Sequence, residues 1–407
     1  MAITVSHPRA SRARRNTPVT TYYLLAVATA ILVLIGLAVV LSSSSIDSLR
    51  DEGDAYALFR AQLIYLALGV VVLAICSRIP PALWRKLAPW LVAVVMTALV
   101  FVGLSPLGLA EGGNRNWINL GVLTAQPSEA AKLALALYLG SVLALARPRL
   151  HRWGGAIFPA GIVALAVVGL VVWGRDIGTA SVLVVLIAAA YWTAGLPARF
   201  FFMGAGIAAG ILAVTIANIP NLKLRVDTWL AEECDIAGAC LQATHGTWAL
   251  ASGGLWGLGP GLSREKWLLL PKLHNDFVYA ILGEEFGLLG TLLVLVALAM
   301  MVVAVNRLVS RHRDRFIQIS SAAIGAWIVG QAMLNIAVVI GFAPVTGVPL
   351  PFISSGGSSL VTSLAGIGVL LSFARLEPGA AAERQTRRSF MRRTAAAIAR
   401  KDREARE

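Results

Sequence analysis

The sequence predicts an all-α, polytopic membrane protein with about ten transmembrane helices and a large outer loop between spans seven and eight. Three observations lead there. The 407 residues are 57% hydrophobic and only 14% charged, with a mean hydropathy of +0.75. A soluble domain carries roughly 45–50% apolar and about 25% charged residues. Several apolar runs approach the roughly 20 residues that a helix needs to cross about 30 Å of hydrocarbon. The +14 net charge is spread very unevenly along the chain. A β-barrel would instead show short segments of alternating polarity.

The apolar runs lie near 22–42, 61–76, 88–104, 128–146, 154–173, 177–194, 200–218, 277–304, 316–341 and 356–373. The chain thus divides into a basic tail (1–21), a ten-helix membrane domain (22–373) and a second basic tail (374–407). The first run follows 21 residues holding four Arg and no acid. It is too long for a signal-peptide core and ends in no small-residue cleavage pattern. Ten spans put both termini on one side. The two tails and the connections on their side hold 25 of the 35 Lys and Arg but 6 of the 21 acids, a net +19 that leaves −5 for the rest. The positive-inside rule makes that side cytoplasmic, so the chain is expected in the cytoplasmic membrane. Arg387, Arg388, Arg392, Arg393, Arg400 and Lys401 suit anionic lipid headgroups. With no interleaved aromatics and no fold around them, they do not read as a nucleic-acid site.

On the outer side, residues 43–60 form an acidic connection, 105–127 a second, and 219–276 by far the longest. A connection that long is functional or disordered, and its Trp, Gly and Leu content argues for order. Function is therefore sought on that face. Cys76 ends the second span, whereas Cys234 and Cys240 lie six residues apart in the long outer loop. An oxidising compartment makes a Cys234–Cys240 disulfide the expected state. No CxxC, HExxH or His cluster suggests a structural zinc site.

Ionisable groups within or at the edge of a membrane are costly and usually functional. Here they are Glu129, Lys132, Asp176, Asp276, Glu284 and Glu285. Asp276 stands where the long loop enters span eight. It reads either as a helix N-cap or as a carboxylate poised as general base. Lys132 follows Glu129 by three residues, so the two can pair on one helix face. That pair reads either as a lock for span four or as the setting for a cation turned to a substrate groove. Glu284 and Glu285 fall about 80° and 180° around the helix from Asp276 and cannot both face one site. The Gly-rich run 253–261 lacks the Lys-Ser/Thr of a P-loop and reads as a stretch that packs flat. Residues 349–357, with Pro349, Pro351, Gly356 and Gly357, read as a rigid outer turn.

Five motifs resemble one known family. They are Asn114-Arg115-Asn116-Trp117 followed by Gln126-Pro127-Ser128-Glu129 and Lys132; Arg175-Asp176-Ile177-Gly178-Thr179-Ala180; Gly253-Gly254-Leu255-Trp256-Gly257; His274-Asn275-Asp276-Phe277 followed by Gly283-Glu284-Glu285-Phe286-Gly287; and the stretch from Pro344 through Pro349-Leu350-Pro351-Phe352 to Ser359. In order and spacing they resemble the SEDS family of shape, elongation, division and sporulation proteins, which includes FtsW and RodA. Arg175, Asn275 and Ser355 stand where the family usually has Pro, Thr and Tyr. The context around Asp276 and Trp267 is most similar to actinobacterial division proteins of the FtsW branch.

The resemblance implies a peptidoglycan glycosyltransferase that polymerises lipid II on the outer face of the cytoplasmic membrane. It works beside a class B penicillin-binding protein and other divisome membrane proteins, at the septum. The family's essential aspartate falls on Asp276. The reaction has an inverting geometry: a sugar hydroxyl loses a proton as it attacks the anomeric carbon, and a lipid diphosphate leaves. That needs one base and positive charge near the diphosphate. Substrate contacts are expected from Arg115, Glu129, Lys132, Arg225 and His274. A divalent cation, Mg or Mn, is the cofactor candidate, with Asp276 or the Glu284–Glu285 pair to hold it, although no ligand cluster is visible. The competing readings are a lipid II flippase or other transporter, an elongation polymerase of the RodA type, and a non-catalytic scaffold.

Overall fold

The computed structural model describes residues 19–105, 108–111, 114–119, 124–146, 150, 154, 158–218, 220–231, 240–267 and 276–378. The helices are α1 (Val19–Ser43), α2 (Ser45–Glu52), α3 (Ala57–Cys76), α4 (Pro81–Leu104), α5 (Pro127–Ala146), α6 (Ala160–Trp173), α7 (Ile177–Ala194), α8 (Ala198–Asn218), α9 (Pro220–Leu230), α10 (Leu241–Gly253), α11 (Val278–Arg311), α12 (Arg315–Val339) and α13 (Gly357–Arg375). Among the described residues nine helices are long and apolar enough to cross a membrane, and α6 is a shorter apolar helix of 14 residues. At 1.5 Å per residue, α6 spans about 21 Å, less than the full run expected at 154–173. Pro81 sits in the first turn of α4, where its missing N–H costs nothing, and so starts that helix earlier than the apolar run.

The connections hold more structure than an all-helical reading expects. Residues 108–125 contain a three-stranded antiparallel sheet, β1 (Gly108–Glu111), β2 (Asn114–Asn119) and β3 (Thr124–Ala125). The long connection 219–276 carries α9 and α10, and the acidic one carries α2, closed by Gly53 in a left-handed cap.

Two ends of the bundle are chemically distinct. At the end away from the long loop, Arg85 pairs with Asp314 and Arg311 with Glu377. Burial pushes the His312 imidazole below its usual range. At the long-loop end, α5, α12 and α13 meet. They are among the most deeply buried of the long helices, whereas α8 is almost wholly exposed. The functional groups described below sit on or beside that buried trio.

Two departures from regular helix shape this end. Between α12 and α13 the chain does not form an outer turn. It dips back into the bundle. Phe352 and Ile353 are buried, and a Cβ on Gly36 of α1 would lie 2.5 Å from the Phe352 carbonyl oxygen. Gly36 is seven residues short of the end of α1, a depth of about 10 Å. Irregular backbone at membrane depth persists only where protein groups satisfy it. Here they do: Gln62 donates to the Ser354 carbonyl (3.3 Å), Gln331 to Pro349 (2.8 Å), Asn335 to Val348 (2.8 Å), and the Leu350 N–H donates to Ser354 Oγ (2.8 Å).

The second departure is a break in α11 at Gly287 (φ 64°, ψ −162°), a conformation open essentially to glycine alone. The Gly-rich run mends it. Leu258 and Gly259 N–H donate to the Glu284 and Glu285 carbonyls (2.9 and 3.0 Å), and Leu288 N–H donates to the Gly254 carbonyl (3.0 Å). The run does pack flat, and backbone pairing is the reason. Replacing Gly287 with Ala is expected to lower the melting temperature sharply. Its Cβ would stand 2.4 Å from the Gly257 nitrogen, and the backbone conformation alone costs about 1–3 kcal/mol. An unchanged melting curve would contradict this account of the break.

Candidate active site

Asp276 lies one residue before the N-cap of α11. Phe277 takes the cap position and supplies no side-chain cap, so the simple N-cap reading of Asp276 does not describe the structure. Its carboxylate lies against the re-entrant segment instead: a Cβ built on Gly347 would be 3.6 Å from Asp276 Oδ2. Gly347 has φ +73°, so a left-handed residue without a side chain leaves room beside the carboxylate.

The same segment is gripped from the other side. Arg225, exposed on α9, donates Nη1 to the Val345 carbonyl at 3.1 Å, two residues before Gly347. A guanidinium has five N–H donors, and this bond uses one. Trp229, one turn along α9, donates to the Gly341 carbonyl at 2.8 Å. A groove of about 200 Å³ opens here, lined by Arg225, Trp229, Gln242, Pro344 and Val345 among others. A guanidinium and a carboxylate thus contact the same short loop at residues two apart.

Lys132 and Glu129 are placed differently. Both are almost fully buried inside the bundle, with Lys132 Nζ 2.7 Å from Glu129 Oε1 and 2.7 Å from Gln331 Oε1. The ammonium also lies 5.3 Å from the centre of the Trp327 ring, within cation–π range. Gln331 accepts from Trp327 Nε1 at 3.0 Å and passes the connection on to the Pro349 carbonyl. The geometry is that of a lock between α5, α12 and the re-entrant segment, not of a cation facing a groove. Arg115 stands on β2 opposite Ala110. His274 and Cys234 lie outside the described residues. Cys240 is disulfide-bonded and Cys76 is a free, buried thiol.

Asp176 caps α7 by accepting from the Thr179 N–H (3.0 Å), and its other oxygen accepts from Gln126 (3.0 Å) and Ser128 (2.9 Å). That ties the start of α5 to the start of α7. The adjoining Gly178 lies directly beneath the re-entrant segment, its Cβ position 2.7 Å from the Thr346 carbonyl oxygen.

The matching sequence pattern covers the whole of this architecture. Residues 22–378 match the family model of FtsW, RodA and SpoVE, described as a cell cycle protein. The chain belongs to the FtsW/RodA/SpoVE family. Among its relatives, the probable peptidoglycan glycosyltransferase FtsW of Mycobacterium tuberculosis is 35% identical over 371 residues, 90% of this chain and 70% of that one. Stage V sporulation protein E of Bacillus subtilis is 31% identical over 353 residues, 86% of this chain and 96% of that one. Among solved structures, a chain from a peptidoglycan synthase complex coordinating polymerization and crosslinking superposes with a TM-score of 0.71 at 26% identity, covering 87% of this chain and 97% of that one. Rod shape determining protein RodA of Thermus thermophilus superposes with a TM-score of 0.63 at 26% identity, covering 87% and 96%. Like those two, this FtsW/RodA/SpoVE member is a multi-pass helical protein.

Mg²⁺ is commonly held by one or two carboxylates together with substrate phosphates, so a divalent cation here would not need an all-protein cage. Glu284 is committed to Ser263 Oγ (2.5 Å) and the Arg264 N–H (2.9 Å), and Glu285 to Ser42 Oγ. Among the described residues no three His, Cys, Asp or Glu side chains converge. The polar groups that a search for charges overlooks are Gln331 and Asn335. Two amides four residues apart in an otherwise apolar span are a readable signal, because an unsatisfied amide in hydrocarbon is costly.

Proposed function

We propose that this chain is a peptidoglycan glycosyltransferase that polymerises lipid II on the outer face of the cytoplasmic membrane during cell division. The observation that carries the reading is the loop shared by Asp276 and Arg225. The carboxylate lies against Gly347, and the guanidinium is anchored at Val345. In the proposed inverting step, Asp276 takes the proton of the acceptor sugar hydroxyl as its oxygen bonds to the anomeric carbon of the donor. The bond from that carbon to the lipid diphosphate breaks, and the electron pair leaves with the diphosphate. A diphosphate needs little protonation to depart, so one carboxylate suffices, and Arg225 supplies charge to the leaving oxygens.

The outer placement is supported by the distribution of Lys and Arg, which favours both tails in the cytoplasm. The partners under this reading are lipid II, a class B penicillin-binding protein that crosslinks the product, and other divisome proteins at the septum. A transporter would use discontinuous helices whose ends face a cavity. At Gly287 the broken ends are closed by backbone bonds from residues 254–259, which favours the polymerase.

The test is reconstitution of the full chain in liposomes with fluorescent lipid II, alone and with the transpeptidase. Glycan polymer is expected. Translocation of lipid II without polymer would replace this reading with a flippase, and neither activity in either condition would leave a scaffold. A fluorescent fusion is expected at the septum, and side-wall localisation would move the proposal to elongation.

A further inference from the structure

Asn335 lies eight residues after Trp327 and four after Gln331 on one face of α12, and it is almost fully buried. Its Nδ2 donates to two carbonyls at once: Asp276 at 2.8 Å and Val348 at 2.8 Å. The orientation of this amide is decided by its neighbours. Turned over, its oxygen would face two carbonyl oxygens. One NH₂ group thus joins the residue bearing the carboxylate to the loop against which that carboxylate lies.

This junction links α12 to the residue before the α11 cap, and it acts through the backbone of Asp276. Satisfying the re-entrant loop would require one bond, to Val348. The second bond reaches the Asp276 carbonyl. Gln331 shows the contrast: its Nε2 also holds a loop carbonyl, Pro349, but its oxygen is turned to Lys132 and Trp327. One turn of helix separates a lock on the bundle from a fastening on the candidate base.

Resting on the polymerase reading above, we infer that Asn335 is a positioning residue that sets where the Asp276 carboxylate stands relative to the re-entrant loop. Removing it frees the Asp276 backbone from Val348 while leaving the carboxylate itself on the chain. A displacement near 1 Å at a reacting group costs on the order of 10²-fold in rate, and that cost falls on kcat rather than on substrate binding.

The experiment compares wild type, Asn335→Ala, Asn335→Gln and Asp276→Asn, each as the full chain in detergent with fluorescent lipid II and the transpeptidase partner. The readouts are kcat, KM, lipid II affinity and thermal melting. Asn335→Ala is expected to lower kcat about 10²-fold with KM and lipid II affinity within about twofold. Asn335→Gln, which keeps both N–H donors, is expected to recover part of that loss. If Asn335→Ala is not obtained folded, Asn335→Ser, with a single donor, is read by the same split. A kcat within about threefold of wild type in folded protein overturns the inference, as does a loss shared equally by kcat and lipid II affinity, which would mean collapse of the loop. If Asp276→Asn is itself active, the polymerase reading of Asp276 fails and this inference with it. If Asp276→Asn is inactive and folded Asn335→Ala keeps wild-type kcat, this inference alone fails.

Discussion

Asp276→Asn protein is expected to fold, bind lipid II and polymerise it about 10²–10⁴-fold more slowly than wild type. That is about 3–5 kcal/mol of lost transition-state stabilisation at 1.36 kcal/mol per tenfold. Asn keeps the size and shape of the side chain and removes only its capacity to accept a proton. The scaffold contribution of this position survives the change. Phe277, not Asp276, occupies the cap of α11, and the bond from Asn335 goes to the Asp276 backbone carbonyl. A loss of rate should therefore come without a loss of melting temperature. Polymer length and yield on a gel, alongside lipid II binding, provide the measurement. A folded Asp276→Asn protein that polymerises at near wild-type rate would remove the base assignment.

Lys132→Met is expected to cost about 3–5 kcal/mol of stability, a large share of the roughly 5–15 kcal/mol that holds a typical domain folded. The ammonium is almost fully buried, and it is hydrogen-bonded to both Glu129 and Gln331. Its loss strands a carboxylate among α5 and α12 and loosens Gln331, which holds the Pro349 carbonyl of the re-entrant loop. Replacing both charges together, Glu129→Gln with Lys132→Met, is expected to recover most of the stability. The penalty arises from the unpaired charge, while an intact buried pair contributes little net. Melting of the detergent-solubilised single and double variants decides the matter. A single variant that melts with wild type would mean that the pair is hydrated and open to a groove.

Much of this was readable because membrane physics leaves few choices. Hydrocarbon forces a helix wherever an apolar run is long enough. The runs at 128–146 and 177–194 accordingly became α5 (Pro127–Ala146) and α7 (Ile177–Ala194) almost residue for residue. Asp276 and Arg225 were visible as charges near the long connection, because charges are rare in a chain that is 14% charged. The polar amides were not. Gln62, Gln331 and Asn335 carry no charge, and their roles appear only when carbonyl partners 13 to 292 positions away are brought alongside them. The small sheet at 108–125 escaped notice for a related reason: its strands are short and pair mainly with each other, so no periodicity announces them.

Two local features show the same division. Gly287 stands in a helical pattern that continues on both sides, and its break is maintained by N–H groups of residues 258 and 259 reaching the Glu284 and Glu285 carbonyls. The Pro-rich stretch 344–356 has the composition of a surface turn, yet it descends into the bundle because four side chains from α3, α12 and the stretch itself meet its backbone groups.

From the order of its residues alone, this chain determined that it is an all-helical, multi-pass membrane protein, which of its ends gather positive charge, and which carboxylate sits at the long-loop boundary. Those properties follow from free energies of transfer, which depend on composition within a single segment. Only the tertiary structure decided that Lys132 is sealed within an ion pair, that Asp276 lies against Gly347, and that Asn335 joins the two. Those are matters of hydrogen-bond satisfaction in a dry interior, where the partner of each buried polar group is chosen by packing between helices distant in sequence.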